Sequence, residues 1–531
     1  MKRRSLLAGA AAFAGATALA APRLAAAQDA RVLKFVPQAD LAVLDPIWTT
    51  AEVTRNHAMM VFDTLYGRDE ALKPVPQMAE GAAADADGKV WTFRLREGLR
   101  FHDNEPVLGR DVVASLSRWG RRDGFGQVLF GLVDELSAPN DREIVFRLKR
   151  GFPLILEALS KLASNVPVIM PERLAKTDAA TQVAEMVGSG PYRFKPDERV
   201  AGSRAVYEKF AGYVPRADGA VTWTAGPKIA RFERVEWITQ PDPATAAAAL
   251  QPGEVDWWEW PSADLLPVLA RARGVAVATP DRLGNVALMR MNHLQPPFDN
   301  PAIRRAMLGA VNQEDYMAAI SGTDRSLWQT GVGYFTPGSP MASDVGMEAL
   351  NSPRDMEKVK QALKAAGYNG ETVVLLGAND LAVVKASADV GNDMLRRAGM
   401  AVDYVATDWG TVVQRRAKKD PPAQGGWNVF FTGTRAMDQF NPAAHIALRS
   451  NGADAWPGWP SSPQMEALRQ EWFFSRDAAD QGRIGREMQR LAFQEVPYIP
   501  LGLYLTPTAY RRSLEGLVNG IPVFWNIHRV G

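Results

Sequence analysis

Asp87-Gly88-Lys89-Val90-Trp91-Thr92-Phe93-Arg94-Leu95-Arg96-Glu97-Gly98-Leu99-Arg100-Phe101-His102-Asp103 is the stretch on which the reading of this chain turns. From Val90 to Arg96 apolar and polar side chains alternate, the period-two pattern of a strand with one buried face. Glu143 to Lys149 behaves in the same way. Between the two, Arg110 to Trp119 reads as a helix, with Gly109 before it and Gly120 after it. Strand, helix and strand within so short a span place this part of the chain in an α/β region.

Working outward, that strand-rich region extends from Arg31 to about Arg290 and is broken sharply at Gly188-Ser189-Gly190-Pro191. From about Met291 the pattern changes. Asn300-Pro301 offers a cap and a first-turn proline, and Ile303, Ala306, Met307 and Ala310 then fall on one helical face. Ser352-Pro353 opens a second helix with Met356, Val359 and Leu363 inward and Gly367 as its stop. Strand Thr372–Leu376, helix Leu381–Ala398, strand Val402–Ala406 and a helix opening at Asp408 follow. This alternation predicts parallel pairing in a sheet covered on both faces. Ser462-Pro463 starts a long helix reaching to about Gln494.

At the amino end, Lys2, Arg3 and Arg4 precede an Ala/Leu/Gly-rich run from Leu6 to Ala21, and Ala25-Ala26-Ala27 supplies small residues for cleavage. That three-part pattern is a secretory signal peptide, and the paired arginines before Ser5-Leu6-Leu7 resemble a twin-arginine export signal. The apolar run falls short of the roughly 20 residues a spanning helix needs. Cleavage near Ala27 takes the 531 residues to 504. Because the segment carries Lys2, Arg3, Arg4 and Arg23 and no acid, it takes the net charge from +2 to −2. The mature chain has no basic excess for nucleic acid or membrane. With no Cys there is no disulfide, thiolate metal site, cysteine nucleophile or lipid-anchored N-terminal cysteine. A soluble protein outside the cytoplasm is expected, held together without disulfides.

Motifs of catalysis are missing from the sequence. There is no GxxxxGK[ST], HExxH, GxSxG or GxGxxG. His57, His102, His293, His445 and His528 are far apart, so each reads as a structural histidine and no metal site is expected. No catalytic residue and no cofactor is assigned.

At this point the quoted stretch resembles the hallmark of the family 5 extracellular solute-binding proteins, the periplasmic dipeptide-, oligopeptide- and nickel-binding receptors of ABC importers. Arg110-Asp111-Val112-Val113 supplies the helix that follows it, and Asn104 stands where the family usually has Gly. Gly188-Ser189-Gly190-Pro191-Tyr192, Gly253-Glu254-Val255-Asp256, Pro296-Pro297-Phe298-Asp299-Asn300 and Val496-Pro497-Tyr498-Ile499-Pro500-Leu501 match further family motifs in order. The resemblance implies a two-lobed α/β periplasmic-binding-protein fold of type II, with the ligand cleft between the lobes. Lobe I would hold residues 28–284 with an inserted subdomain at about 65–185, lobe II residues 285–504, and residues 505–531 would return to lobe I. It implies a periplasmic substrate-binding protein, not an enzyme, that closes around a peptide-like or other small organic solute. That solute passes to an inner-membrane ABC permease with cytoplasmic ATPase subunits, and the family default is a monomer. A receptor for a non-peptide solute (opine, nickel chelate, haem or sugar) and a secreted hydrolase with non-local catalytic residues are the alternatives.

The resemblance also implies site residues. Asp438, in Asp438-Gln439-Phe440-Asn441-Pro442, keeps the spacing of an aspartate that meets a ligand ammonium; a helix cap is the competing reading. Trp409 matches a tryptophan bordering the ligand, against core packing. Arg416 matches an arginine that meets a peptide carboxylate. Its neighbours Arg415, Lys418 and Lys419 favour a solvated helix residue instead. Tyr504, Glu259 and Trp260 stand at ligand-contact positions, and Thr50 and Glu52 occupy the N-terminal contact loop. Trp257-Trp258-Glu259-Trp260 hints at a flat or apolar solute. Gly433 and Arg435 lie just before Asp438 where peptide-binding relatives often carry Gly-Trp or Gly-Tyr; Arg435 would neutralise Asp438 or favour an acidic solute.

Overall fold

The computed structural model describes residues 31–162, 165–475 and 477–530. The secretory signal and its cleavage site lie outside these residues.

Two large mixed sheets carry the architecture. The first runs in the order Tyr192–Phe194, Arg204–Lys209, Arg234–Ile238, Val32–Val36, Trp257–Trp258, Thr508–Arg511, Val275–Ala278. Val32–Val36 at its centre pairs in parallel with both neighbours. The second runs Trp328–Gln329, Ile499–Tyr504, Asn285–Met291, Val429–Arg435, Val373–Ala378, Val402–Thr407. Asn285–Met291 and Ile499–Tyr504 are buried along their whole length, which is why they read as near-continuous apolar runs. Helices Gln313–Ser321 and Ala382–Arg397 pack on this sheet.

The chain crosses between the sheets twice. Residues 279–284 join Val275–Ala278 to Asn285–Met291, and residues 505–507 join Ile499–Tyr504 to Thr508–Arg511. At the first crossing Gly284 has φ +77°, and a Cβ there would collide with the Tyr504 carbonyl of the neighbouring strand, so the tight approach requires glycine.

The stretch quoted first forms the second strand of a separate antiparallel sheet, Ala79–Ala84, Val90–Leu95, Glu143–Leu148, Val133–Ser137. Phe93 and Leu95 are buried while Arg94 faces out. Helix Gly109–Gly120 packs on this sheet, and Asp111 accepts from the Leu108 backbone N–H at 2.8 Å to close its first turn. This unit also meets the helices beyond the second sheet: Phe125 and Phe152 lie with ring centroids 5.9 and 6.1 Å from Phe473.

Three local expectations are corrected. The long helix from Pro463 is two helices, Pro463–Phe473 and Ala478–Glu495, because Asp477 caps a new start through the Asp480 N–H. Ser352 does not open a helix; Asp355 caps Met356–Ala365 through the Lys358 N–H. The second sheet is only partly parallel. Val373–Ala378 runs parallel to both neighbours, whereas Asn285–Met291 is antiparallel to both of its own. Strand–helix alternation speaks to consecutive elements and is blind to strands contributed from elsewhere in the chain.

Candidate functional site

A small enclosed cavity of about 50 Å³ lies between the two sheets. It opens toward a cleft of about 1120 Å³ with which it shares Gln38, Trp260, Leu381, Val383 and Tyr504. Nine of the ten residues singled out from the sequence line the cavity: Thr50, Glu52, Trp260, Trp409, Arg416, Gly433, Arg435, Asp438 and Tyr504. Glu259 does not. Its carboxylate accepts from the Gln38 N–H at 2.8 Å and from Asn56 Nδ2 at 3.0 Å, behind the wall. It therefore orients Gln38, and burial pushes its pKa up to about 7 against the opposing Gln38 hydrogen bond.

Asp408 caps helix Trp409–Arg415 through the Thr411 N–H and so sets Trp409 at the cavity wall. Arg416 follows as the C-cap residue. It is 4% exposed, so the expectation of a solvated arginine is wrong: the tertiary fold turns it inward, while Arg415 caps the Gly425 and Gly426 carbonyls. Its guanidinium lies 5.2–5.4 Å from the ring centroids of Trp409, Phe430 and Trp456, and Nη2 donates to Thr50 Oγ1 at 3.1 Å. Among the described residues no carboxylate lies within 4 Å of it. Burial alone lowers its pKa to about 10.

Thr50 is presented by a loop anchored at Asp45. That carboxylate accepts from Arg118 Nη1 and Nη2 at 3.2 and 2.7 Å, from the Val183 N–H at 2.9 Å and from the Ile47 N–H at 3.1 Å. Thr50 Oγ1 also accepts from Trp456 Nε1 at 3.2 Å. Reading the sequence missed Trp456. The aromatic pair Trp456 and Trp459 in a Pro/Gly-containing loop was the available signal, but nothing local ties it to Thr50.

Arg435 ends strand Val429–Arg435 and is ion-paired with two carboxylates. Nε and Nη2 meet Glu52 Oε2 at 2.7 and 2.6 Å, and Nη1 meets Asp281 Oδ2 at 2.7 Å. Glu52 opens helix Glu52–Val61 on the side of the first sheet, and Asp281 lies in the first crossing. Burial would raise the Glu52 carboxyl, yet Arg435 and Arg55 hold it below its ordinary value. Arg435 therefore ties the two halves together and does not serve as the partner of Asp438.

Asp438 lies in a 3-10 turn, Ala436–Gln439, and caps nothing; the turn at Asn441 is closed by its own side chain through the Ala443 N–H. Asp438 is 7% exposed, its Oδ1 has no hydrogen-bond partner, and among the described residues no cation lies within 4 Å. Burial raises its pKa to about 7, partly offset by Lys161 and Arg55. Tyr504 stands over Gly433, where a Cβ would fall on the Tyr504 hydroxyl. Of the aromatic run, Trp257 belongs to the first sheet, where Nε1 donates to Thr508 Oγ1 at 2.6 Å. Trp258 lines the larger cleft, and only Trp260 reaches the cavity.

Besides the paired Glu52 and Arg435, the cavity thus holds one carboxylate, Asp438, and one guanidinium, Arg416, each buried with no opposite charge within 4 Å among the described residues, inside an aromatic wall between two sheets. Such a site can offer a charge-assisted hydrogen bond to a cation at Asp438 and to an anion at Arg416. The comparisons supply the class of protein. Residues 73–447 match the bacterial extracellular solute-binding proteins, family 5. The chain belongs to this family, which comprises the non-enzymatic substrate-binding components of ABC importers. It is 36% identical to a probable peptide ABC transporter periplasmic-binding protein, y4tO, of Sinorhizobium fredii, across 97% of this chain and 98% of that one. It is 27% identical to the glutathione-binding protein GsiB of Pectobacterium atrosepticum, across 89% and 88%. In fold it matches the dipeptide-binding protein of Pseudoalteromonas sp. SM9913 in complex with Met-Leu, with a TM-score of 0.77 at 19% identity over 94% of this chain and 100% of that one.

Proposed function

We propose that this protein is a periplasmic receptor that captures a peptide-like dipolar solute in the cavity between its two sheets and delivers it to an ABC permease. The carrying observation is that one cavity holds a buried Asp438 and a buried Arg416, neither with an opposite charge within 4 Å among the described residues. Burying either charge alone is costly. A ligand bringing an ammonium to Asp438 and a carboxylate to Arg416 repays both with charge-assisted hydrogen bonds. The peptide and glutathione named for the relatives carry both groups. The enclosed space is small, so the rest of the solute extends past Trp260 and Tyr504 into the larger cleft. Trp409 and Trp456 supply apolar contact, and Thr50 and Gln38 supply polar contact.

Closure is a hinge motion at the two crossings. Residues 28–284 and 505–531 move as one lobe, carrying the subdomain at about 65–185, and residues 285–504 move as the other. The Arg435–Glu52 pair forms across the gap on closing, while the Arg435–Asp281 pair anchors the crossing itself. Export uses the twin-arginine signal, cleavage near Ala27 frees a periplasmic monomer, and the inner-membrane permease with its ATPase subunits is the partner.

Calorimetric titration with a panel of dipeptides tests the reading. A zwitterionic dipeptide should bind one to one and be recovered intact. Its N-acetyl and C-amide forms should each lose most of the affinity. Equal binding of the blocked forms, no binding by any peptide, or a chemically altered ligand would each overturn it.

A further inference from the structure

Beyond Trp260 and Tyr504 the cavity gives onto the larger cleft of about 1120 Å³, ample for a long side chain. Its walls are apolar and stiff, with Pro37, Pro261, Pro507, Trp258, Trp260 and Leu327 among them. The charged residues that line it are Asp242, Asp264, Asp324, Asp380 and Lys385. Asp242, Asp264 and Asp324 are exposed at the rim, and Asp380 is half-buried.

Pairing does not cancel the acidic bias. Lys385 is ion-paired with Asp389 at 2.5 Å, a carboxylate outside the lining. Arg325, next to Asp324, pairs with Glu314 and lies over the Trp328 ring. None of the four lining carboxylates has a cation within 4 Å among the described residues. Asp242 and Asp324 accept from the N–H groups of Thr245 and Ser326, and Asp380 accepts from that of Trp409 at 2.7 Å. These bonds fix the carboxylates without supplying an opposite charge. Asp264 bonds to nothing among the described residues. Asp408 and Asp40 add to the negative field at Asp380. Asp242 and Asp264 belong to the half built on the first sheet, Asp324 and Asp380 to the half built on the second. Closing the halves brings like charges together, and a cation between them removes that repulsion. At the junction stands Tyr504, 2% exposed and common to cavity and cleft, whose hydroxyl has no hydrogen-bond partner among the described residues.

Resting on the reading of a dipolar peptide-like solute, we infer that the preferred solute carries a long cationic side chain, of the arginine or lysine kind, which leaves the cavity past Tyr504 and lies in the cleft. Its methylene stem covers the proline and tryptophan wall while its charged end reaches the carboxylates at the rim. A guanidinium end also stacks on tryptophan. An acidic side chain in the same place is repelled from both halves.

Calorimetry on the full mature protein with two isosteric pairs tests this: Arg-Ala against citrulline-Ala, and Ala-Arg against Ala-citrulline, so that the side chain is tried at both positions. At about 0.01 M salt the arginine form of at least one pair should bind about threefold or more tightly than its neutral isostere, the scale of exposed ion pairs summed over the rim. At about 1 M salt, where the screening length is about 3 Å, that ratio should fall toward one. Asp264→Lys, at a carboxylate that bonds to nothing, should abolish the preference for arginine at low salt. Equal binding within both pairs at low salt, a ratio that salt leaves unchanged, or a preference that survives in an Asp264→Lys variant melting like the unaltered protein overturns the cationic subsite and leaves the dipolar receptor standing. If Asp264→Lys does not fold, the ratio and its salt dependence in the unaltered protein decide the matter. Failure of all four dipeptides to bind overturns the receptor reading and this inference with it.

Discussion

Replacing Arg416 by Met separates a ligand anchor from a structural arginine, because the two roles move stability in different directions. Met keeps the length and much of the packing between Trp409, Phe430 and Trp456 but removes the charge. In the ligand-free protein the charge is a liability. Its pKa falls from the ordinary guanidinium value to about 10, which corresponds to about 3 kcal/mol of penalty on the charged form. Three ring contacts, at about 0.5–2 kcal/mol each, and the hydrogen bond to Thr50 offset that penalty. The two sides nearly cancel. Ligand-free Arg416→Met is therefore expected to match the unaltered protein to within about 2 kcal/mol, with any change toward greater stability as the desolvation penalty is lifted. With ligand present the balance is lost. A buried carboxylate then has no partner, and affinity should fall by about 2–5 kcal/mol, roughly 30-fold to several thousand-fold. Urea unfolding of the ligand-free protein and calorimetric titration of the dipeptide read the two quantities separately. Unchanged affinity would refute the reasoning. So would a ligand-free variant destabilised by more than about 2 kcal/mol, which would make Arg416 a structural residue.

Other consequences follow from the same geometry. The Asp438 carboxyl, raised by burial to about 7, takes up a proton on folding between its unfolded value near 4 and pH 7. Its contribution to ligand-free stability should therefore fall as pH rises through that window. Affinity for an ammonium-bearing peptide should rise as pH passes about 7; Asp438→Asn should flatten both profiles, as read by melts and titrations from pH 4 to 8. Gly433→Ala places a methyl on the Tyr504 hydroxyl with no backbone strain to relieve. Ligand affinity should fall at least tenfold, with the ligand-free fold itself destabilised by about 1–3 kcal/mol as the buried Tyr504 is displaced, while circular dichroism keeps its shape; an unaltered affinity would mean that Tyr504 moves freely and does not shape the cavity.

How far the sequence reached can be judged residue by residue. Alternation from Val90 to Arg96 and the capped run at Asn300-Pro301 were legible because periodicity and capping act over a few residues, and both elements stand where they were expected. Cavity residues from distant parts of the chain, Thr50, Trp260, Trp409, Asp438 and Tyr504, came from motif resemblance and were brought together by the fold. Arg416 was misjudged because its sequence neighbours are basic, whereas its surroundings in space are three aromatic rings, Trp409 from its own helix and Phe430 and Trp456 from distant parts of the chain. The break at Asp477 was missed although the sequence marks it: no large apolar residue stands between Phe474 and Ile484, and Asp477 is a ready N-cap for the second helix.

What the amino-acid sequence by itself determined is the set of elements, their alternation and the family to which they belong, all encoded in spacings and motifs that need no distant partner. What only the tertiary structure decided is the state of each charge. Arg435 finds Glu52 and Asp281 from two other regions, while Asp438 and Arg416 find no counter-charge within 4 Å among the described residues. An ion's free energy depends on what lies within a few ångströms and on how much water is excluded. Neither is a property of its neighbours along the chain.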